Sequence, residues 1–187
     1  MDRGTVAVYE AQAAEWVRRR GDEGDGLGRR FRQAAGPGLV ADLGCGSGRY
    51  LPELGSPAVG LDATASMLER ARPKGHPLVG ADLESLPLGD GVLAGAFARH
   101  SYLHVPKARM PAAMAELRRV LRPGGIAWLT LIAGDYEGDR LPQDDFPGRY
   151  FSCWRPDELA GVLWGAGFAA VEVLDGPRDR LLAFARA

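Results

Sequence analysis

The chain predicts an α/β fold, a three-layer sandwich with helices on both faces of a mostly parallel sheet. Three observations carry that expectation. Short apolar runs bounded by turn residues alternate with stretches of helical periodicity. The first such run, Leu39 to Leu43, enters a turn with glycine at positions 44, 46 and 48. The last two runs, Val171 to Leu174 and Leu181 to Ala185, are joined at Asp175-Gly176-Pro177 by a link short enough to demand an antiparallel pair. A chain of 187 residues, 46% hydrophobic and 25% charged, suffices for one sizeable core, so residues 1–187 are expected to form one domain. A net charge of −1 argues against nucleic acid or an anionic membrane as partner. Two cysteines and three histidines offer neither a disulfide framework nor a zinc spacing, so no metal is expected. No basic-then-apolar leader and no membrane-length apolar run is found, which predicts a cytoplasmic protein.

In chain order, Val6, Tyr9, Ala13, Trp16 and Val17 share one helical face, giving a helix near residues 5 to 20. Arg18, Arg19 and Arg20 read as its solvated end rather than a phosphate site, since Asp22, Glu23 and Asp25 follow at once. A short helix over 27–35 completes an N-terminal helical segment, 1–35. The glycine turn comes next. Its G-x-G-x-G spacing and Arg49 depart from the G-x-G-x-x-G dinucleotide fingerprint, which leaves a nicotinamide dehydrogenase as the weaker enzyme reading. Asp42, two residues before the first glycine, would repel a pyrophosphate and welcome an ammonium or sulfonium. A helix from about Gly48 to Leu54 would offer free N–H groups beside this turn. The second strand, 57–61, closes on Asp62, 20 residues beyond Asp42, where an acid binds ribose hydroxyls in doubly wound folds. Asp62 could also cap the helix from Ala65 to Arg72. Further strands are expected over 76–81, 92–98 and 126–132, with a helix from Lys107 stopped by Pro123-Gly124-Gly125. Residues 133–154 are rich in glycine, proline and aromatics and read as irregular, and a helix opens at Pro156.

DLGCGSG, residues 42–48, resembles the first motif of the class I S-adenosylmethionine (SAM) dependent methyltransferases, and ELRRVLRPGG, residues 116–125, is a second resemblance. The chain is most similar to the small-molecule branch that includes ubiquinone- and menaquinone-pathway enzymes. The resemblance implies a Rossmann-like, seven-stranded sheet with the last strand antiparallel, SAM as cofactor and a small-molecule acceptor. It places Asp42, Gly44, Cys45, Gly46 and Gly48 at the first turn, and Asp62 with Ala63 at the ribose. Asp82 and Leu83 fall at the adenine, and Arg99 at the end of the fourth strand. The acceptor pocket would draw on Tyr9, Tyr136, Tyr150 and Trp154, with 133–155 as a lid, although Tyr9 and Trp154 could equally be core anchors. His100 and His104 are the candidate general bases. For His100 the base and structural readings stand level, and for His104, between Leu103 and Val105, the structural reading leads. Cys45 reads as a small residue in a tight turn and Cys153 as packing.

Asp135, Glu137, Asp139, Asp144 and Asp145 against Arg140 and Arg149 give residues 135–149 a charge of −3. That charge predicts a neutral or cationic acceptor. Other functions stay open: an idle SAM-fold sensor or partner subunit, and a tRNA-modifying enzyme, because GRYF…W…ELAGVL resembles the tail of wobble-uridine methyltransferases. The atom methylated and the choice of monomer or homodimer are open at this level.

Overall fold

The strand that enters the glycine turn, β1 (Val40–Leu43), has all four residues buried and lies mid-sheet, as its apolar run requires. The structure is a computed structural model that describes residues 1–142 and 144–187. β1 pairs in parallel with β2 (Ala58–Asp62) on one side and β4 (Leu93–Arg99) on the other. β3 (Leu78–Gly80) extends one edge and β5 (Leu121–Ala133) the other, both parallel. β9 (Arg180–Arg186) then runs antiparallel to β5, and β8 (Ala170–Gly176) pairs antiparallel with β9. The seven main strands thus run β3-β2-β1-β4-β5-β9-β8, with the last strand of the chain inserted between β5 and β8.

Helices cover both faces. α2 (Leu27–Ala35) and α3 (Leu51–Leu54) bury Phe31, Leu51 and Leu54 beside Phe97 and Tyr50. Gly95 is bare because a side chain there would stand 2.7 Å from the Phe31 ring. On the opposite face, α5 (Met110–Val120) and α6 (Pro156–Gly165) contribute Met110, Met114, Leu117, Leu159 and Leu163 to the larger core. Each of these fully buried side chains stabilises the fold by about 1.5–3 kcal/mol. α4 (Ala65–Ala71) follows β2 directly.

Two boundaries differ from expectation. α5 ends at Val120, and Leu121 is already extended, so Pro123-Gly124-Gly125 does not stop the helix. Those residues lie where the β4–β5 register jumps from Leu93↔Leu121 to Gly95↔Ile126. The segment 133–154 is also less irregular than its glycines suggest. β6 (Glu137–Gly138) pairs with β7 (Phe151–Trp154), and β7 joins the end of β5 at Ile132↔Cys153 and Ala133↔Trp154. Four consecutive buried residues make β7 a core strand and not part of a lid. The helix α1 (Arg3–Arg20) buries fully only Thr5 and Ala13. It runs over the carboxyl edge of the sheet, touching α4 through Glu10, the segment after β4 through Tyr9, and residues 145–150 through Arg20 and Thr5. An edge offers less apolar surface than a face, so its predicted stripe is only half covered.

Candidate active site

The glycine turn is bonded inward. The N–H groups of Gly44 and Cys45 both donate to the Leu61 carbonyl, at 2.8 and 2.9 Å, and the Gly46 N–H donates to Asp62 Oδ2 at 2.8 Å. α3 begins only at Leu51 and is four residues long, so the expected helix N-terminus beside the turn is not there. With the Gly44, Cys45 and Gly46 donors spent, the first half of the turn has no N–H groups left to cradle a phosphate. Asp42 points the other way. It is 2% exposed, its Oδ2 has no hydrogen-bond partner, and burial, with Asp62 adding, pushes its carboxyl up to about 8. A cationic ligand beside this orphaned carboxylate would satisfy it and restore its charge.

The three glycines serve different ends. A side chain on Gly44 would stand 2.3 Å from Ser101 Cβ, so its bareness is demanded by the protein itself. One on Gly48 would press on Ala71 of α4. One on Gly46 meets nothing within 4 Å and would project into open space, as a ligand-facing glycine should. Cys45 is buried with its thiol pushed up by burial, which suits packing and not nucleophilic attack.

Asp62 accepts from Thr64 N–H at 2.9 Å as well as from Gly46. It does not cap α4. The N-cap position is Thr64, and the first helical N–H groups, at Ala65 and Ser66, donate to Glu10 of α1. Each Asp62 oxygen keeps a lone pair for a hydroxyl ligand, beside half-buried Ala63. Asp82 is exposed at the end of β3 and accepts from the Glu84 N–H and the Met1 ammonium, while the Leu83 side chain is in the core. Arg99 is held by Asp25 at 2.8 Å with its guanidinium 5.1 Å from the Tyr50 ring centroid.

The two histidines part company. His104 is 3% exposed and both ring nitrogens are engaged. Nδ1 lies 2.6 Å from the Tyr150 carbonyl and must donate, so in the neutral ring Nε2 accepts from the Tyr9 hydroxyl at 3.0 Å. Burial lowers its pKa to about 4. That geometry corrects the reading of His104 as a base: it orients Tyr9. The Tyr9 hydroxyl in turn receives Arg149 Nη1 at 2.8 Å, and Arg149 is itself paired with buried Asp144. His100 has left-handed backbone, φ 58°, and a buried Nε2 with no partner. Burial, reinforced by Arg180 and Arg99, pushes it down to about 3, which makes it a poor base at neutral pH.

Of the remaining acceptor candidates, Tyr150 donates to Glu137 at 2.8 Å and Tyr136 accepts the Arg140 N–H, so both brace the β6 hairpin. Trp154 is 1% exposed within the core, with Lys107 Nζ 4.9 Å from its ring centroid, a core anchor and not a pocket wall. The charge argument for 135–149 also changes. Asp135 pairs with Arg155, Asp144 with Arg149, Asp145 with Arg20, and Glu137 accepts from Lys107 N–H. Four of the segment's five acids are thus engaged in ion pairs or hydrogen bonds, which leaves Asp139 and removes most of the charge expected to select for cations. The sequence assigns no site role to Glu10, Arg149 or Arg180, because only the fold carries α1, the segment before β7 and β9 to one edge.

An open α/β sheet with an acid-flanked, donor-poor turn at the β1–β4 switch point is a ligand-binding domain of the nucleotide-cofactor class. Residues 41–129 match the family model described as "Methyltransferase domain", so the chain carries a methyltransferase domain on a Rossmann-like fold. It is similar to the malonyl-[acyl-carrier protein] O-methyltransferase of Serratia marcescens, with 38% identity over 114 residues, 57% of this chain and 44% of that protein. A protein of Mus musculus described as a probable tRNA methyltransferase 9B is 33% identical over 143 residues, covering 73% of this chain and 32% of its own length. The chain therefore spans less than half the length of these curated relatives. A solved structure described as a DhpI–SAH complex superposes with a TM-score of 0.75 at 24% identity, covering 98% of this chain and 95% of that one, a likeness of fold.

Among the described residues no helix is long and apolar enough to cross a membrane.

Proposed function

We propose that the protein transfers a methyl group from SAM to a small-molecule acceptor. The observation that carries this reading is Asp42: a buried carboxyl group with an unpartnered Oδ2, beside a turn whose Gly44, Cys45 and Gly46 N–H groups are already bonded. That combination suits a ligand bearing positive charge and hydroxyls, which would restore the charge of Asp42, and gives a pyrophosphate little to bind. When bound, SAM supplies an electrophilic methyl on a sulfonium. Asp42 would offset the ligand's charge, Asp62 would hold ribose hydroxyls, Asp82 would accept from the adenine amino group, and Gly46 would leave room for close approach. α1, fastened by Glu10 near its middle and Arg20 at its end, would exclude water from above the turn. Orientation and water exclusion of this kind can contribute about 7–11 kcal/mol to lowering the barrier without any covalent group from the protein. The Tyr9 hydroxyl, aimed by His104 and Arg149, would touch the acceptor. Residues 135–150 with α1 would form the lid.

The tRNA reading draws support from the Mus musculus relative and is opposed by the net charge of −1. Calorimetry with S-adenosylhomocysteine (SAH) tests the assignment. The intact protein should bind SAH, and Gly46→Val should lose that binding while keeping its circular dichroism. Absence of SAH binding, or tighter binding of NAD, would overturn it.

A further inference from the structure

The carboxyl edge holds basic groups that cofactor binding leaves unused. Arg99 ends β4 opposite Thr130 of β5, and Arg180 opens β9 opposite Ile132. His100 follows Arg99 and anchors its N–H on the Thr130 carbonyl at 3.1 Å. Arg20 arrives from the end of α1. Two of the three guanidiniums have carboxylates, Arg99 with Asp25 at 2.8 Å and Arg20 with Asp145 at 2.6 Å. Arg180 is half-buried, and among the described residues it has neither an ion pair nor a side-chain hydrogen bond. The buried His100 Nε2 is also without a partner. Burial, then Arg20 and Arg99, lower the Arg180 pKa, and Arg180 is the first charge to act on His100 after burial. A desolvated cation facing other cations is unfavourable, and an anion placed among them relieves both costs.

We propose that Arg180 and His100 bind an anionic group of the methyl acceptor, a carboxylate or a phosphonyl or phosphoryl group. This rests on the methyltransferase reading above and adds the class of acceptor. SAM's own carboxylate shares the chemistry. Arg180 favours the acceptor, because β9 lies three strand spacings, about 14 Å, from β1 and its turn. The hairpin that delivers Arg180 is turned by Arg178 and Asp179, both in left-handed backbone, and is pinned by Ala133 N–H on the Asp179 carbonyl at 2.8 Å. The position of Arg180 is thus fixed by the sheet.

The test uses the full chain saturated with SAH and labelled with ¹⁵N-histidine, titrated with methylphosphonate and with acetate. Either anion should shift the His100 resonances and move its titration toward neutral pH. Arg180→Gln should weaken that response about tenfold, with Arg180→Lys retaining part of it, while SAH affinity by calorimetry stays within about twofold. An unresponsive His100 in the SAH-bound wild type overturns the proposal and leaves the methyltransferase reading intact. Loss of SAH affinity by about tenfold in Arg180→Gln also overturns it, assigning the cluster to the cofactor's carboxylate. If the wild type binds no SAH, both readings fall.

Discussion

Asp42 shows how a single buried group couples stability to ligand binding. Its folded pKa, about 8, lies above the ordinary carboxyl value of about 3.9. The folded protein therefore holds a proton that the unfolded chain releases, so this contribution is fully present in acid and is lost as pH rises through about 8. Asp42→Asn keeps an uncharged side chain at every pH. Without ligand, the stability of wild type relative to Asp42→Asn should fall by a few kcal/mol between about pH 4 and pH 8, measured by urea unfolding across that range. A pH-independent difference would show that Asp42 is ionised in the folded state. Asp62, also buried, differs because the Gly46 and Thr64 N–H groups partly offset its desolvation.

At the scale of elements, α1 and residues 144–150 fasten one another through a buried chain running Asp144, Arg149, Tyr9, His104 and the Tyr150 carbonyl. Arg149 is 7% exposed and Asp144 3% at the side chain, and Asp145 approaches Arg149 only to 3.6 Å, so removing Asp144 leaves a buried charge poorly compensated. Asp144→Ala should cost about 3–5 kcal/mol, read by chemical denaturation. Asp144→Leu combined with Arg149→Met should recover much of it, since neither charge is then left buried. If Asp144→Ala costs nothing measurable, the chain is not closed in solution. The arginines at 18 and 19 behave as their helix-end position predicts, pairing with Glu15 within α1. Arg20 instead crosses to Asp145.

For the whole molecule, β7 decides how much of 133–155 belongs to the core. Trp154→Ala should destabilise by about 3–5 kcal/mol, whereas Trp164→Ala, at a side chain 50% exposed on α6, should change stability by less than about 0.5 kcal/mol. Equal effects in thermal and urea unfolding would contradict the placement of β7. The sequence by itself determined the layers and the mostly parallel sheet, and it singled out Asp42 and Asp62 at the ends of the first two strands, because periodicity and turn chemistry are local properties. It also placed the N-terminal helix and the antiparallel closing pair. Only the tertiary structure decided that Gly44 yields to Ser101, that Glu10 and not Asp62 caps α4, and that Trp154 is core. The same is true of His104, which is tied at both nitrogens, and of Asp145 and Asp135, which are paired with Arg20 and Arg155 from outside their segment. Each depends on which groups from remote segments share a desolvated space. Net charge along a segment cannot reveal that, because a carboxylate's field depends on the cation folded against it.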